Sequence, residues 1–166
     1  MIPVYVVMMT GKILLTLVIV TVMVLLAFLM LIVWSHMKPP ATGLVEGKLR
    51  ACPEKPNCVC SESYPNKQDM HDIPPVVVNG KDVDLPWKLL KDAVVKSGGT
   101  VVSETDSYLH AEFTSKFFHF IDDVEMRMDR SAGEIHIRSA SRIGHSDLGV
   151  NRQRIKQIWS RLEAGQ

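Results

Sequence analysis

The sequence predicts an α+β protein: an N-terminal transmembrane helix, then one domain in which a curved antiparallel sheet packs against two helices. Three observations predict it. Residues 13–34 form an apolar run without a charge. Downstream, four successive segments place apolar residues at every second position, the mark of strands with one buried face. Two further segments repeat apolar residues at helical spacing, one ahead of those strands and one behind.

The elements follow in chain order. Residues 1–12 are a short lead in which Ile2 to Met9 is apolar and Pro3 interrupts it; a start at Met9 would give the more usual Met-Thr-Gly-Lys. Ile13 to Trp34 spans 22 residues, broken only by Thr16 and Thr21. As a helix it is roughly 33 Å long, enough for a bilayer core of about 30 Å. Pro39-Pro40 stop it. No small-residue cleavage pattern follows Trp34, so the run reads as an uncleaved single-pass anchor. Residues 35–51, with Pro39, Pro40, Gly43 and Gly47, read as a linker, and a single domain occupies 52–164. Cys52 to Pro75 is irregular and proline-rich. Ile73 to Val78 is a first strand, followed by an Asn79-Gly80 turn.

Asp84 to Ser97 is a helix with Asp84 as N-cap, Pro86 in the first turn and Gly98-Gly99 at the end. Trp87, Leu90 and Val94 make its apolar face. Strands follow at 100–104, 108–114, 121–128 and 134–141, joined by short turns. The last helix starts near Ser146 or Asp147 and buries Ile155, Ile158, Trp159 and Leu162. The order β-α-β-β-β-β-α fits a TATA-binding-protein-like topology, with a helix-grip arrangement as the alternative.

Lys12 is the only charged side chain before Lys38, and the remainder carries 18 basic and 18 acidic residues. That balance gives no nucleic-acid face. The three cysteines, Cys52, Cys58 and Cys60, lie within nine residues. Such clustering fits a disulfide with one thiol left over, or a metal site with His71. C-x5-C-x-C is not a common zinc spacing, and neither metal nor cofactor is expected. Orientation signals conflict. Lys38, Lys48 and Arg50 after the anchor favour a cytoplasmic domain, whereas a small cysteine loop favours an oxidising exterior.

The candidate site is residues 138–152, rich in arginine, serine and glycine, between the last strand and the last helix. Pairing Met128 with Ile135 and Met126 with Ile137 keeps the apolar residues on one side. It sets Glu125 opposite Arg138, Val124 opposite Ser139 and Arg127 opposite His136, with Asp123 on a diagonal to Arg138. His110 and Glu112 lie on the polar side of their strand. Two readings compete. In one, the acidic strand Asp122, Asp123, Glu125 and its arginine partners form a solvated charge ladder. In the other, Arg138, Arg142 and Arg152 converge near the helix start. There, with Ser139, Ser141, Ser146, Asp147 and Asn151, they bind a phosphate or carboxylate. Ser139 and Ser141 share the apolar face and also fit as buried structural hydroxyls.

Phe120-Ile-Asp-Asp-Val-Glu125, Arg138-Ser-Ala-Ser-Arg142, Ser146-Asp-Leu-Gly-Val-Asn-Arg152 and Cys52-Pro-x-x-Pro-Asn-Cys58-Val occur in an order that resembles domain-of-unknown-function family 1499, over about residues 50–160. The resemblance implies a bacterial or plastid protein, often exported or membrane-attached. It implies no activity, substrate or cofactor and lends no catalytic residue. Cys60 stands where the family usually has Ser, and His145 where it usually has an aromatic. Since only Cys52 and Cys58 belong to the shared pattern, the resemblance favours a disulfide between them and an exported domain.

Enzymatic signatures are weak. Ser146, His145 and Asp147 are sequence neighbours, and neighbours diverge on regular elements. There is no G-x-S-x-G and no H-E-x-x-H. Asp122 and Asp123 point to opposite faces, so they cannot form one dyad. His110, His136 and Glu112 read as exposed strand residues. Phe117, Phe118 and Phe120 cannot share one side of a strand. Either one is exposed to a partner or to the nearby bilayer surface, or a crossover packs both sides.

The sequence therefore predicts a single-pass cell-membrane protein held by residues 13–34, with its C-terminal domain outside the cytoplasm. Its expected role is a binding or envelope-interaction module for an unidentified protein or a small anionic ligand. The alternative is an enzyme acting on an anionic or lipid-related substrate at 138–152.

Overall fold

The computed structural model describes residues 4–65, 68–78 and 84–164. The chain divides into two units, 1–37 and 38–166.

The first unit is one helix, α1, Val4–Met37. It starts earlier than expected, because most of the apolar lead continues the helix rather than preceding it. Residues Met8–Met37 are long and apolar enough to cross a membrane, and none of the most apolar stretch is covered by protein. A core helix of a soluble protein would be covered. The two threonines do not break the run. Thr16 Oγ1 donates to the Lys12 carbonyl and Thr21 Oγ1 to the Leu17 carbonyl, both at 2.9 Å. Each hydroxyl is thereby satisfied within the helix, so neither would oppose a hydrocarbon environment.

The second unit is an open antiparallel sheet with two helices. Its elements are β1 Leu44–Val45, β2 Lys48–Leu49, β3 Cys58–Cys60, a 3₁₀ turn Asp69–His71, β4 Val76–Val77, α2 Asp84–Lys96, β5 Thr100–Glu104, β6 Tyr108–Thr114, β7 Ile121–Asp129, β8 Glu134–Ser141 and α3 Val150–Ala164. From β4 onward the order is the predicted β-α-β-β-β-β-α. The spatial order is β3-β8-β7-β6-β5, with β4 also on β8; β1 and β2 form a separate hairpin. The expected register holds: Met128 faces Ile135, Met126 faces Ile137, Glu125 faces Arg138 and Arg127 faces His136. Strict alternation in both strands forces it, since a one-residue slip would turn the whole charged set onto the apolar face that packs against the helices.

One sheet face, with Leu109, Val124, Met126, Ile135 and Ile137, joins Trp87, Leu90 and Val94 of α2 and Ile155, Ile158 and Leu162 of α3 in one core. Where α2 meets β5 the packing is tight. A Cβ on Gly99 would lie 2.8 Å from the Phe113 and Val94 side chains, so any larger residue would have to displace them.

Several expectations change. The supposed linker from residue 38 onward is folded into the domain: Leu49 is fully buried, and β1–β2 is made from it. The cysteine region contributes β3, an edge strand on β8. The first strand shrinks to Val76–Val77, paired with Ile135 and Glu134. Asp84 is the first helical residue rather than the N-cap, and it accepts from Arg130 at 2.9 Å. α3 begins at Val150, three or four residues later than expected, because Leu148 and Gly149 have left-handed backbone (φ 54° and 82°). The Asn79-Gly80 turn lies outside the described residues.

Candidate functional site

The second face of the sheet carries charge, and it is buried. Glu125 is fully buried; Asp123, His110 and Arg138 are nearly so. The alternation of β6, β7 and β8 puts these residues on one side. The 38–51 segment and the 61–64 loop lie over them. Gly43 N–H donates to Glu125 Oε1 at 2.6 Å, Tyr108 Oη donates to the same oxygen at 2.8 Å, and Arg138 Nη1 donates to Glu125 Oε2 at 2.8 Å. Glu62 Oε1 accepts from Arg127 Nε at 2.8 Å and from Leu49 N–H at 3.3 Å. Ser61 Oγ lies 3.3 Å from His136 Nδ1. The charge ladder is therefore not solvated, and His110 and His136 are not exposed. Without the cover, these pairs would be ordinary surface ion pairs; beneath it, each depends on its partner.

Electrostatics follow the geometry. Burial alone would raise the Asp123 carboxyl, but bonds from Arg142 and from His110 Nε2 (2.8 Å) hold it below the usual carboxylate range. Arg142 gives Nε to Asp123 Oδ2 at 2.9 Å and Nη2 to Oδ1 at 2.8 Å, with Glu112 on the same Nη2. The bond to Asp123 is the main reason its guanidinium is held still more firmly protonated. Burial, then the Glu125 charge, pushes the Tyr108 phenol far up. His110, Glu112 and Asp123 bring possible ligand atoms within 4.8 Å of one another. Arg142 already sits on both carboxylates, so a metal ion there would face a fixed positive charge.

The structure disperses the predicted site residues. Arg138, Ser141 and Arg142 line one groove. Ser139 and Asn151 belong to the other side of the sheet. Asn151 Oδ1 accepts from Ser139 Oγ at 2.5 Å and Arg154 Nη1 at 2.6 Å, while its Nδ2 donates to Ser141 Oγ and the Asn57 carbonyl. Asn151 thus latches α3 to β8. Asp122 pairs there with Arg154 at 2.5 Å, and that guanidinium lies 4.8 Å over the Phe113 ring. Asp147 caps α3, its carboxylate accepting from Gly149 and Asn151 N–H at 3.0 and 2.8 Å. Ser146 Oγ accepts from Leu148 N–H at 3.3 Å. Arg152 is spent on the carbonyls of Met70 and Asp72, both at 2.8 Å. The three arginines do not converge at the helix start.

What converges instead is a groove of about 840 Å³, bounded by the 38–55 segment, Asn57, the 63–65 loop and the end of β8. Its basic lining is Lys38, Lys48, Arg50, Lys55, Arg138 and Arg142; its acidic lining is Glu46 and Asp123. Three of its polar atoms are buried without a hydrogen-bond partner among the described residues: Arg138 Nε, Tyr64 Oη and Asn57 Oδ1. Burial, with the charges of Cys60 and Glu62, pushes the Tyr64 phenol up to about 12, so it remains a donor at neutral pH. Sequence reasoning missed Tyr64, Asn57, Lys48, Arg50 and Lys55. Asn57 carried a signal, since it lies within the Cys52–Val59 block; the others had none.

Cys52 and Cys58 form a disulfide, with their Cα atoms 5.6 Å apart, and Cys60 lies buried outside it. The disulfide closes the loop that borders the groove and leads into β3.

Fold and site together define a class: an α+β domain behind one apolar helix, its sheet packed on helices by one face and on a buried ionic network by the other. The chain belongs to the family described as "Protein of unknown function (DUF1499)", whose model matches residues 48–162. That span includes most of the groove and all of the meander, and excludes α1. No curated protein and no solved structure matches the chain.

Proposed function

We propose that this is a membrane-anchored binding module, its domain outside the cytoplasm, whose groove takes a small anionic ligand bearing a carboxylate or phosphate. The observation that carries the reading is the pair of unpartnered buried donors, Arg138 Nε and Tyr64 Oη, in a groove edged by Lys48, Arg50 and Lys55. A buried donor without an acceptor costs about 1–3 kcal/mol. Two in one concave, mostly basic site support a place for an acceptor that the described residues do not supply. The carboxylate Oδ atoms of Asp123 occupy Arg142, so Arg138, Tyr64 and the rim lysines are what a ligand would meet.

The geometry favours binding over turnover. Asp123, one of the two acids in the lining, is held ionised by Arg142 and His110. Tyr64 is held protonated. Neither is poised to exchange a proton near neutrality, which general acid–base chemistry requires.

The test is calorimetric titration of the full chain in nanodiscs with inorganic phosphate and with citrate, using glycerol as the neutral control. Wild type is expected to bind at least one anion and not glycerol. Tyr64→Phe is expected to leave folding intact and weaken anion binding by about tenfold, the worth of one hydrogen bond to a charged group. Binding unchanged in both Tyr64→Phe and Arg50→Ala, or no binding of either anion, overturns the reading.

A further inference from the structure

One end of the sheet gathers features that the groove does not use. The register places the end of β6, the start of β7, the end of β8 and the start of β5 together: Thr114 faces Ile121, Asp122 faces Ser141, and Thr100 faces Glu112. The β6–β7 turn at this end exposes Phe117 (87%) and much of Phe118. The loop after β8, which begins at the same end, exposes Leu148 (94%). Single exposed apolar side chains are ordinary, but several gathered at one end of a domain make the kind of surface that marks a contact site. Beside them Lys96, Lys116, Lys156 and Arg161 line one shallow concavity, and its lining contains no acidic residue.

Connectivity adds a constraint. α1 ends at Met37, and Lys38, the next residue, is already bonded into the domain, its Nζ donating to the Arg142 carbonyl. Arg142 N–H in turn donates to the Ile121 carbonyl at 3.2 Å, so Lys38 belongs to this same end of the sheet. If α1 crosses a membrane, only a short stretch of sequence links its apolar run to this end of the domain.

We propose that this end of the domain is a membrane-contact face that docks on an anionic bilayer. Phe117 and Leu148 enter the interfacial layer, and Lys96, Lys116 and Lys156 face the lipid phosphates. The chemistry is that of peripheral interfacial binding, in which apolar side chains supply burial and basic ones supply attraction to anionic headgroups. The proposal rests on α1 being retained as a membrane span, and it is independent of what fills the groove.

The test is spin-label depth measurement on the full chain in nanodiscs, in a Cys60→Ser background with the disulfide intact. Labels are placed by Phe117→Cys, Leu148→Cys, Asp106→Cys at the far end of the sheet, and Leu25→Cys within α1. In discs containing phosphatidylglycerol, labels at 117 and 148 are expected to be about tenfold less accessible to a water-soluble nickel complex than the label at 106. Reversing Lys96, Lys116 and Lys156 to Glu, or using phosphatidylcholine alone, is expected to return them towards solvent, by roughly fivefold in docking equilibrium per lysine. Labels at 117 and 148 as exposed as that at 106, with the label at 25 deep in the bilayer, overturn the contact face alone. A solvent-exposed label at 25 overturns the anchor and the contact face together. Shielding at 117 and 148 that ignores both lipid charge and lysine reversal also overturns the proposal.

Discussion

At Asp123 a buried carboxylate is offset by a guanidinium and an imidazole, and that balance makes the residue a pH-dependent element of stability. Its folded pKa lies below the ordinary value of 3.8. An acid whose pKa is depressed by folding contributes stability that is complete above its unfolded pKa and is lost as pH falls through the folded one. The domain is therefore expected to keep this contribution down to about pH 4 and to lose it below. Asp129, also held low, chiefly by its bonds to Ser131 and Ala132, acts in the same direction, though it is more exposed and counts for less. Urea denaturation of the full chain in detergent between pH 2 and 5 should show stability falling with acid. Asp123→Asn should flatten that slope, by at most about 1.4 kcal/mol per pH unit, because one proton is removed from the linkage. An unchanged slope would mean that the Asp123–Arg142 pair does not feel folding. The same residues explain why burial was hidden from the sequence. An alternation of Asp123, Glu125 and Arg127 with Val124, Met126 and Met128 reads the same whether the polar side meets water or a covering segment.

At the scale of elements, the Cys52–Cys58 disulfide secures a strand too short to hold itself. β3 is three residues long and pairs with β8 through Cys58–Ala140, Val59–Ser139 and Cys60–Arg138. A disulfide closing so short a loop contributes about 2 kcal/mol through the unfolded chain. Reduction is expected to lower stability by about that amount and to speed amide exchange first in β3, leaving β6 and β7 protected. Uniform acceleration across the sheet would show that the bridge supports the whole domain rather than its edge. The contrast between these strands also measures what the sequence could disclose. β6, β7 and β8 were legible, and so was the register of β7 against β8, because seven to nine residues give several periods of alternation. β1, β2 and β3, with two or three residues each, have no period to read, and Pro and Gly around them imitate a linker. The groove was illegible for the same reason: Lys48, Arg50 and Tyr64 reach it only through those short elements. Arg138 and Arg142 were legible as residues, but their pairing left Arg138 Nε as the available donor, which no sequence pattern reveals.

If α1 anchors the chain as proposed, the decisive question for the whole molecule is which side of the membrane holds the domain, and two physical rules disagree. Lys38, Lys48 and Arg50 follow α1 while Lys12 alone precedes its central run, a bias that the positive-inside rule would assign to the cytoplasm. The fold weakens that count. Lys48 and Arg50 line the groove and Lys38 is bonded to the Arg142 carbonyl, so the folded domain has its own use for all three. The disulfide points the other way and carries more weight, because a cytosolic thiol pool would reduce a structural bridge of this kind. A C-terminal alkaline phosphatase fusion is therefore expected to be active and a fluorescent-protein fusion dark. In protein denatured without reductant, reduction should expose two additional maleimide-reactive thiols per chain. A bright, phosphatase-inactive fusion whose thiols react fully before reduction would place the domain in the cytoplasm. It would also remove the bridge from the groove's wall, and with it the ordering of Asn57, which shares the closed loop with Cys52 and Cys58. Orientation and disulfide thus stand as one linked claim, which fusion activity and thiol count test together, and the groove's wall depends on the bridge.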